Sequence, residues 1–417
     1  VSPAARRLPL LRPALAAGLL TLVTCLLTLS LTAAQQGGGP PTPAPILTPT
    51  PTPLLAGPLL AGDGPDNASL FLYDAATGAQ RELTFGPGRQ WFGSFAPDGC
   101  RFVFTLADPA DGALRLYTAR IDGSEVRELL AFTDDTGALA WEAWSPRWSP
   151  AGDRIAFLLF RYYLAEDGQI ERRAHLAWVS SEGGAPSFYS VSGDEGQPAW
   201  SPDGARLAYV LFERRVPGAA LNATAVPGVT APESALLREA DIWIVSADGL
   251  DKIRLTDFAT GSALYPRWSP DGTQIGFVYA PAGNNHLFYV VPAAGGMPRP
   301  LSTAWALALA FDWLPDGSGY VAAVKDWRGY DDNLLWIIPL SGDADNTSTL
   351  YLADPRVTAV DFPVFSADGR RLAFRSAYGV LLYDTGTGEL RDLPALGLNN
   401  TPLAWSPAGF GGETTCP

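Results

Sequence analysis

Short runs in which apolar residues alternate with polar or small ones recur through most of the chain, in pairs joined by Gly-bearing turns. RIAFL (154–158), RLAYV (206–210), QIGFV (274–278) and RLAFR (371–375) each follow such a turn. A further run comes after each of them: HLAWV (175–179), DIWIV (241–245), HLFYV (286–290) and VLLYD (380–384), with LRLY (114–117) and LLWII (334–338) in the same role elsewhere. A strand points successive side chains to opposite faces, so a period of two rich in β-branched and aromatic residues predicts half-buried strands. No amphipathic helical pattern of convincing length interrupts the series.

The turn before each first run has one form. It reads FAPDG (95–99), WSPAG (148–152), WSPDG (200–204 and 268–272), WLPDG (313–317), FSADG (365–369) and WSPAG (405–409). Pro presets the first corner, Asp or Ser bonds nearby amides, and Gly takes the left-handed corner that other residues resist, which predicts a hairpin. The aromatic before it is a large apolar plate able to pack between neighbouring sheets. Intervals of roughly 40–70 residues suit a blade-sized β-unit and are too long for most helical solenoids. With a last edge strand such as RLT (254–256), each unit is predicted to be a four-stranded antiparallel sheet.

The stretch W-S-P-D-G-x-x-[IL]-[AG]-[FY], followed by an [IL]-[YW]-x-[VI] strand, resembles the TolB-type β-propeller repeat, also found in the propeller domains of prolyl-oligopeptidase-like enzymes. The resemblance covers about residues 69–410 and implies an all-β propeller of seven blades, with six as the alternative. The seventh motif ends within a few residues of Gly409, while SLFLYD (69–74) and RELT (81–84) stand unclaimed near the other end. These predict a blade shared by both ends of the chain, which removes open sheet edges. Because the residues after Gly409 make a poor strand, that blade is expected to have three strands.

The first residues read differently. Arg6, Arg7 and Arg12 precede an uncharged, Leu-rich stretch from Pro13 to Ala34, long enough to cross a bilayer and followed by small residues suited to signal-peptidase cleavage. Residues 1–34 are therefore expected to be a signal peptide or an N-terminal membrane anchor, with the rest extracytoplasmic and touching membrane through that segment only. Residues 35–65 form a Pro/Thr-rich linker and 66–417 the propeller. Export permits disulfides, and the first and seventh blades would be neighbours, so a bond between Cys100 and Cys416 would lock the ring.

Composition narrows the function. Lys and Arg number 29 against 43 Asp and Glu, a net charge of -14, which excludes the basic footprint of a nucleic-acid-binding protein. Only two His are present, His175 and His286, at matching positions in two blades; they are read as structural, and no metal site or cofactor is expected. No G-x-S-x-G elbow occurs. The long loops between second and third strands, 161–174, 213–240 and 325–333, lie on one face and are the candidate recognition surface. They offer Arg161, Tyr162, Tyr163 and Glu166; Glu213, Arg214 and Arg215; and Lys325, Trp327, Arg328, Tyr330 and Asp331. Trp91, Trp141, Glu142, Glu195, Tyr265 and Asp361 precede or begin inner strands and are candidates for the channel mouth. The leading expectation is a non-catalytic binding module for a protein, peptide or cell-envelope glycan. The alternative is a lyase or cyclase using Glu142, Glu195 and Asp361.

Overall fold

A computed structural model describes residues 55–416 apart from 132–135, 191, 216–236, 282–285, 302–306, 326–332, 342–346, 394–395 and 397–402. The signal or anchor segment and most of the linker lie outside the described residues. Among the described residues, no helix is long and apolar enough to cross a membrane.

The strands form seven four-stranded antiparallel sheets. Blade 1 holds Gln90–Phe95, Arg101–Ala107, Leu114–Arg120 and Arg127–Glu128, and blade 2 holds Ala140–Trp148, Arg154–Leu164, Ile170–Ser180 and Ser187–Phe188. Blade 3 holds Glu195–Trp200, Arg206–Arg215, Leu237–Ser246 and Lys252–Arg254; blade 4 holds Ser262–Trp268, Gln274–Ala280, Leu287–Pro292 and Arg299–Pro300. Blade 5 holds Leu307–Trp313, Gly319–Lys325, Leu334–Pro339 and Thr349–Leu350; blade 6 holds Asp361–Phe365, Arg371–Ser376, Gly379–Asp384 and Leu390–Leu393. In each of these six, the first strand is innermost and the recurring turn joins it to the second.

Blade 7 takes both ends of the chain, in the order Ala404–Trp405, Leu59–Asp63, Leu70–Asp74 and Gln80–Leu83. Its inner strands from blades 6 and 7 touch, as do those of blades 7 and 1, so the ring is closed and seven-bladed. The expectation of three strands is corrected here. Leu59–Asp63, assigned from the sequence to the linker, is the missing second strand, pairing Leu60 with Trp405 on one side and Leu60 with Tyr73 on the other. All five of its residues are buried, which a solvated spacer would not allow.

The core lies between blades. Val278 and Phe288 of blade 4 pack against Phe311, Trp313 and Tyr320 of blade 5, and Leu158 and Leu176 of blade 2 against Leu207, Tyr209 and Val245 of blade 3. Burying these faces supplies most of the driving force for assembly. The motif aromatic adds a direction to this packing. The indole N–H of Trp200 donates to the Arg147 carbonyl (3.2 Å), that of Trp268 to Ala199 (2.9 Å), that of Trp313 to Arg267 (3.0 Å) and that of Trp405 to Val364 (3.1 Å). Each bond runs from one blade to the residue just before the motif aromatic of the preceding blade. The turn is also self-bonded: Ser269 Oγ donates to Asp271 (2.6 Å), whose carboxylate accepts the Thr273 amide (3.0 Å), while Gly272 sits at φ 70°.

Closure has its own bonds. Asp74, fully buried, accepts the amides of Ala56, Gly57, Ala76 and Thr77. Glu413 accepts the Leu55 amide (2.9 Å) and pairs with the buried Arg81 guanidinium, which also donates to the Ile121 carbonyl (2.9 Å). Cys100 and Cys416 are joined by a disulfide, with Cα atoms 5.4 Å apart.

Candidate functional site

The innermost strands are not regular. Their pairing with the second strand slips between Trp144 and Arg147, Gly196 and Ala199, Leu264 and Arg267, and Asp361 and Val364. At each slip one residue takes a left-handed backbone: Ser145 (φ 50°), Gln197 (φ 52°), Tyr265 (φ 57°) and Phe362 (φ 48°). Pro146, Pro198, Pro266 and Pro363 follow them, and a proline has no N–H to give the ladder, so a bulge is the local solution. Non-glycine residues resist this conformation by about 1–2 kcal/mol each, and such strain gathers where a surrounding scaffold enforces it.

The bulges and the recurring turns surround an axial cavity of about 830 Å³, built from blades 2 to 6. Turn residues such as Pro202, Pro270, Pro315 and Ala367 line it, so it occupies the turn side of the axis, opposite the long hairpins. Its charged members come chiefly from the position before the motif aromatic: Arg147, Arg267 and Asp312, with Ala199 at the same place in blade 3. Arg147 donates to the carbonyls of Gly93 and Pro146 (both 3.0 Å). Burial and the nearby Arg267 charge push its guanidinium down to about 10, still cationic at neutral pH. Arg267 stands 3.7 Å from Asp312, whose other oxygen accepts the Phe365 amide (2.9 Å). Burial raises the Asp312 carboxyl against the pull of Arg267, and likewise raises Asp361 against its bond from the Phe362 amide and the charge of Arg375. The Tyr265 side chain is 50% exposed within this lining, and its amide donates to Gln197 Oε1 of blade 3 (2.6 Å). Among the described residues, no group of three His, Cys, Asp or Glu is placed to hold a metal ion.

Of the residues singled out from sequence, Tyr265 and Asp361 line this cavity. Glu195 does not: it is buried and accepts Ser190 Oγ (2.6 Å) and the amides of Ser192 and Gly193, a bracing role. Glu142 is likewise occupied, accepting the Trp144 indole N–H (2.9 Å) and the Tyr162 hydroxyl (2.8 Å), while burial and Glu142 push that phenol up to about 12. Trp141 lies under the Arg115 guanidinium (4.3 Å), and Trp91 packs against Trp144 (5.9 Å).

The stretch 161–174 is mostly strand rather than loop. Arg154–Leu164 pairs with Ile170–Ser180 to their tips, leaving 165–169 as the turn, with Glu166 exposed on it. Arg161 is buried, its guanidinium over the Phe188 ring (4.9 Å), and the Tyr163 ring lies under Arg173 (5.2 Å). Glu213, Arg214 and Arg215 also belong to a strand, Arg206–Arg215, with Glu213 3.8 Å from Arg254. Lys325 ends Gly319–Lys325, and Trp327, Arg328, Tyr330 and Asp331 lie outside the described residues. The cavity residues Arg147, Arg267 and Asp312 were not anticipated. Their signal is positional: one residue before each motif aromatic, and for the two arginines directly after an inner-strand proline in SPRW and YPRW.

No protein-family model matches the chain. An uncharacterized protein of Agrobacterium fabrum is 28% identical over 147 residues, 34% of this chain and 47% of its own length. A TolB homolog of Chlorobium luteolum is 28% identical over 147 residues, 28% of this chain and 34% of its own length. Among solved structures, puromycin hydrolase superposes with a TM-score of 0.57 at 17% identity, over 85% of this chain and 55% of its own. Oligogalacturonate lyase in complex with manganese superposes with a TM-score of 0.51 at 16% identity, over 83% and 97%. Likeness at that identity is a likeness of fold, which hosts unrelated activities. Seven copies of the WSPDG-type motif, a ring closed by both chain ends and the partial match to a TolB homolog support a β-propeller built of TolB-type repeats.

Proposed function

We propose that this protein is a non-catalytic, extracytoplasmic binding module whose ligand, a protein or peptide segment, enters the axial cavity from the turn side. The observation that carries this reading is the convergence of five innermost strands on one open cavity where Tyr265 is exposed and Arg147 keeps donors to spare. The long hairpins of blades 2 and 3 are then a secondary contact surface on the opposite face. Residues 1–34 supply export, and the Pro/Thr segment after them supplies reach.

A pull-down from envelope extracts tests it. Full-length protein should retain a partner that is lost with Ala367→Trp, which plugs the cavity rim from an exposed turn position. Shortening the 165–169 hairpin tip should leave capture unchanged. The reverse pattern would move recognition to the hairpin face and defeat the cavity reading.

The second reading, a lyase or cyclase, has one observation in its favour: Asp312 and Asp361 both line the cavity with carboxyls raised by burial. It requires turnover of an acidic oligosaccharide or peptide that Asp312→Asn and Asp361→Asn abolish. Unchanged product yields in both variants would dismiss it.

A further inference from the structure

We propose that the axial cavity takes the free C-terminus of an apolar-ended peptide, its carboxylate held between Arg147 and Arg267; this rests on the reading of the cavity as the ligand site. The two guanidiniums come from the same position in blades 2 and 4. Blade 3, between them, carries Ala199 there, so no third bulky or charged side chain occupies that position between the two cations.

Arg147 has no acid of its own here. Arg147 spends donors on two carbonyls, and among the described residues no carboxylate lies within ion-pair distance of it. A guanidinium has five N–H donors in a fixed fork, so it retains capacity for a carboxylate. Arg267 meets Asp312 at 3.7 Å, a loose contact, and the Asp312 carboxylate is shared with the Phe365 amide. Arg147 and Arg267 also feel each other's charge. Asp361, the other acid of the lining, is set against the Phe362 amide and the Arg375 charge, so an entering anion relieves the repulsion between the two arginines.

The rest of the lining selects what the anion is attached to. Trp200, Trp268, Pro202, Pro270 and Phe362 are apolar, and Tyr265 presents an exposed ring. An apolar side chain next to a terminal carboxylate matches both the ring-lined walls and the two guanidiniums. A cavity of about 830 Å³ accepts several residues of chain.

Calorimetric titration of the full-length protein with the acetylated tripeptide Ala-Ala-Phe, as the free acid and as the C-terminal amide, tests this directly. The free acid should bind, and the amide should bind at least about tenfold more weakly. Arg147→Met should weaken the acid by about tenfold or more and bring it close to the amide, with an unchanged thermal midpoint to show that the ring is intact. Equal affinity for acid and amide, no binding of the acid at millimolar concentration, or full affinity in Arg147→Met would overturn the inference. Trigalacturonate binding more tightly than the peptide acid would also overturn it while leaving the binding-module reading standing. That reading fails separately, if the envelope pull-down retains nothing.

Discussion

Asp74 holds the entry of the chain against its own hairpin, with one buried carboxylate accepting four backbone amides. Burial opposes its ionisation, yet the amides of Ala56, Thr77 and Ala76 hold the carboxyl below the usual carboxylate range. A carboxyl depressed in the folded state contributes its full stabilisation above the unfolded pKa and loses it as pH falls through the folded one. Asp74→Asn should therefore lower unfolding stability by about 2 kcal/mol near neutral pH, and the gap to wild type should close in urea titrations as pH falls through the depressed folded-state pKa. The motif tryptophans offer a second check: Trp268→Phe keeps the plate but removes the bond to the Ala199 carbonyl, a loss of about 1 kcal/mol by the same assay. Legibility in the sequence divides at this scale too. The tryptophan and turn Asp were visible because they recur, whereas Arg147, Arg267 and Asp312 vary from blade to blade and share only their position.

Two strand elements departed from the sequence reading, for opposite reasons. Leu59–Asp63 is buried on both faces and short, so it shows no alternation, and it follows a proline-rich run that reads as spacer. Only its two partners, Ala404–Trp405 and Leu70–Asp74, reveal it as a strand. The blade 2 hairpin fails the period-two test from the other side: beyond Phe160 its residues are polar or exposed on both faces, and backbone pairing with polar and cation–ring contacts, not apolar burial, carries the strands to Leu164 and Ile170. These elements should respond differently to truncation. Leu60→Ala, in the closing strand, should cost about 2–5 kcal/mol, while Leu164→Ala, 63% exposed at the hairpin tip, should stay within about 0.5 kcal/mol, both read from denaturant unfolding.

At the scale of the whole molecule, the propeller leaves only the short outer strand of each blade as a sheet edge, but its closure depends on two distant parts of the chain finding each other. The Cys100–Cys416 bond spans 316 residues of sequence and joins blade 1 to the segment after blade 7. Closing so long a loop removes unfolded-state entropy worth about 6 kcal/mol in the chain-entropy model. Reductant should lower the thermal midpoint, and Cys100→Ser should show the same lower midpoint with no further response to reductant. Equal midpoints with and without reductant in the wild type would mean that the Asp74 bonds and the Arg81–Glu413 pair close the ring by themselves.

Alternation, recurring hairpin turns and the count of motif copies are local properties, and they sufficed for most of the strands, the blade and the propeller, because each hairpin is specified by residues close in the chain. The axial cavity is not local. It gathers two to six residues from each of five blades, set by bulges whose left-handed residues depend on the sheet around them, and no stretch of sequence contains more than about a quarter of it. Which carboxylates were already bonded, which arginine was left with donors to spare, and that the open end lies on the turn side followed only once the ring had closed.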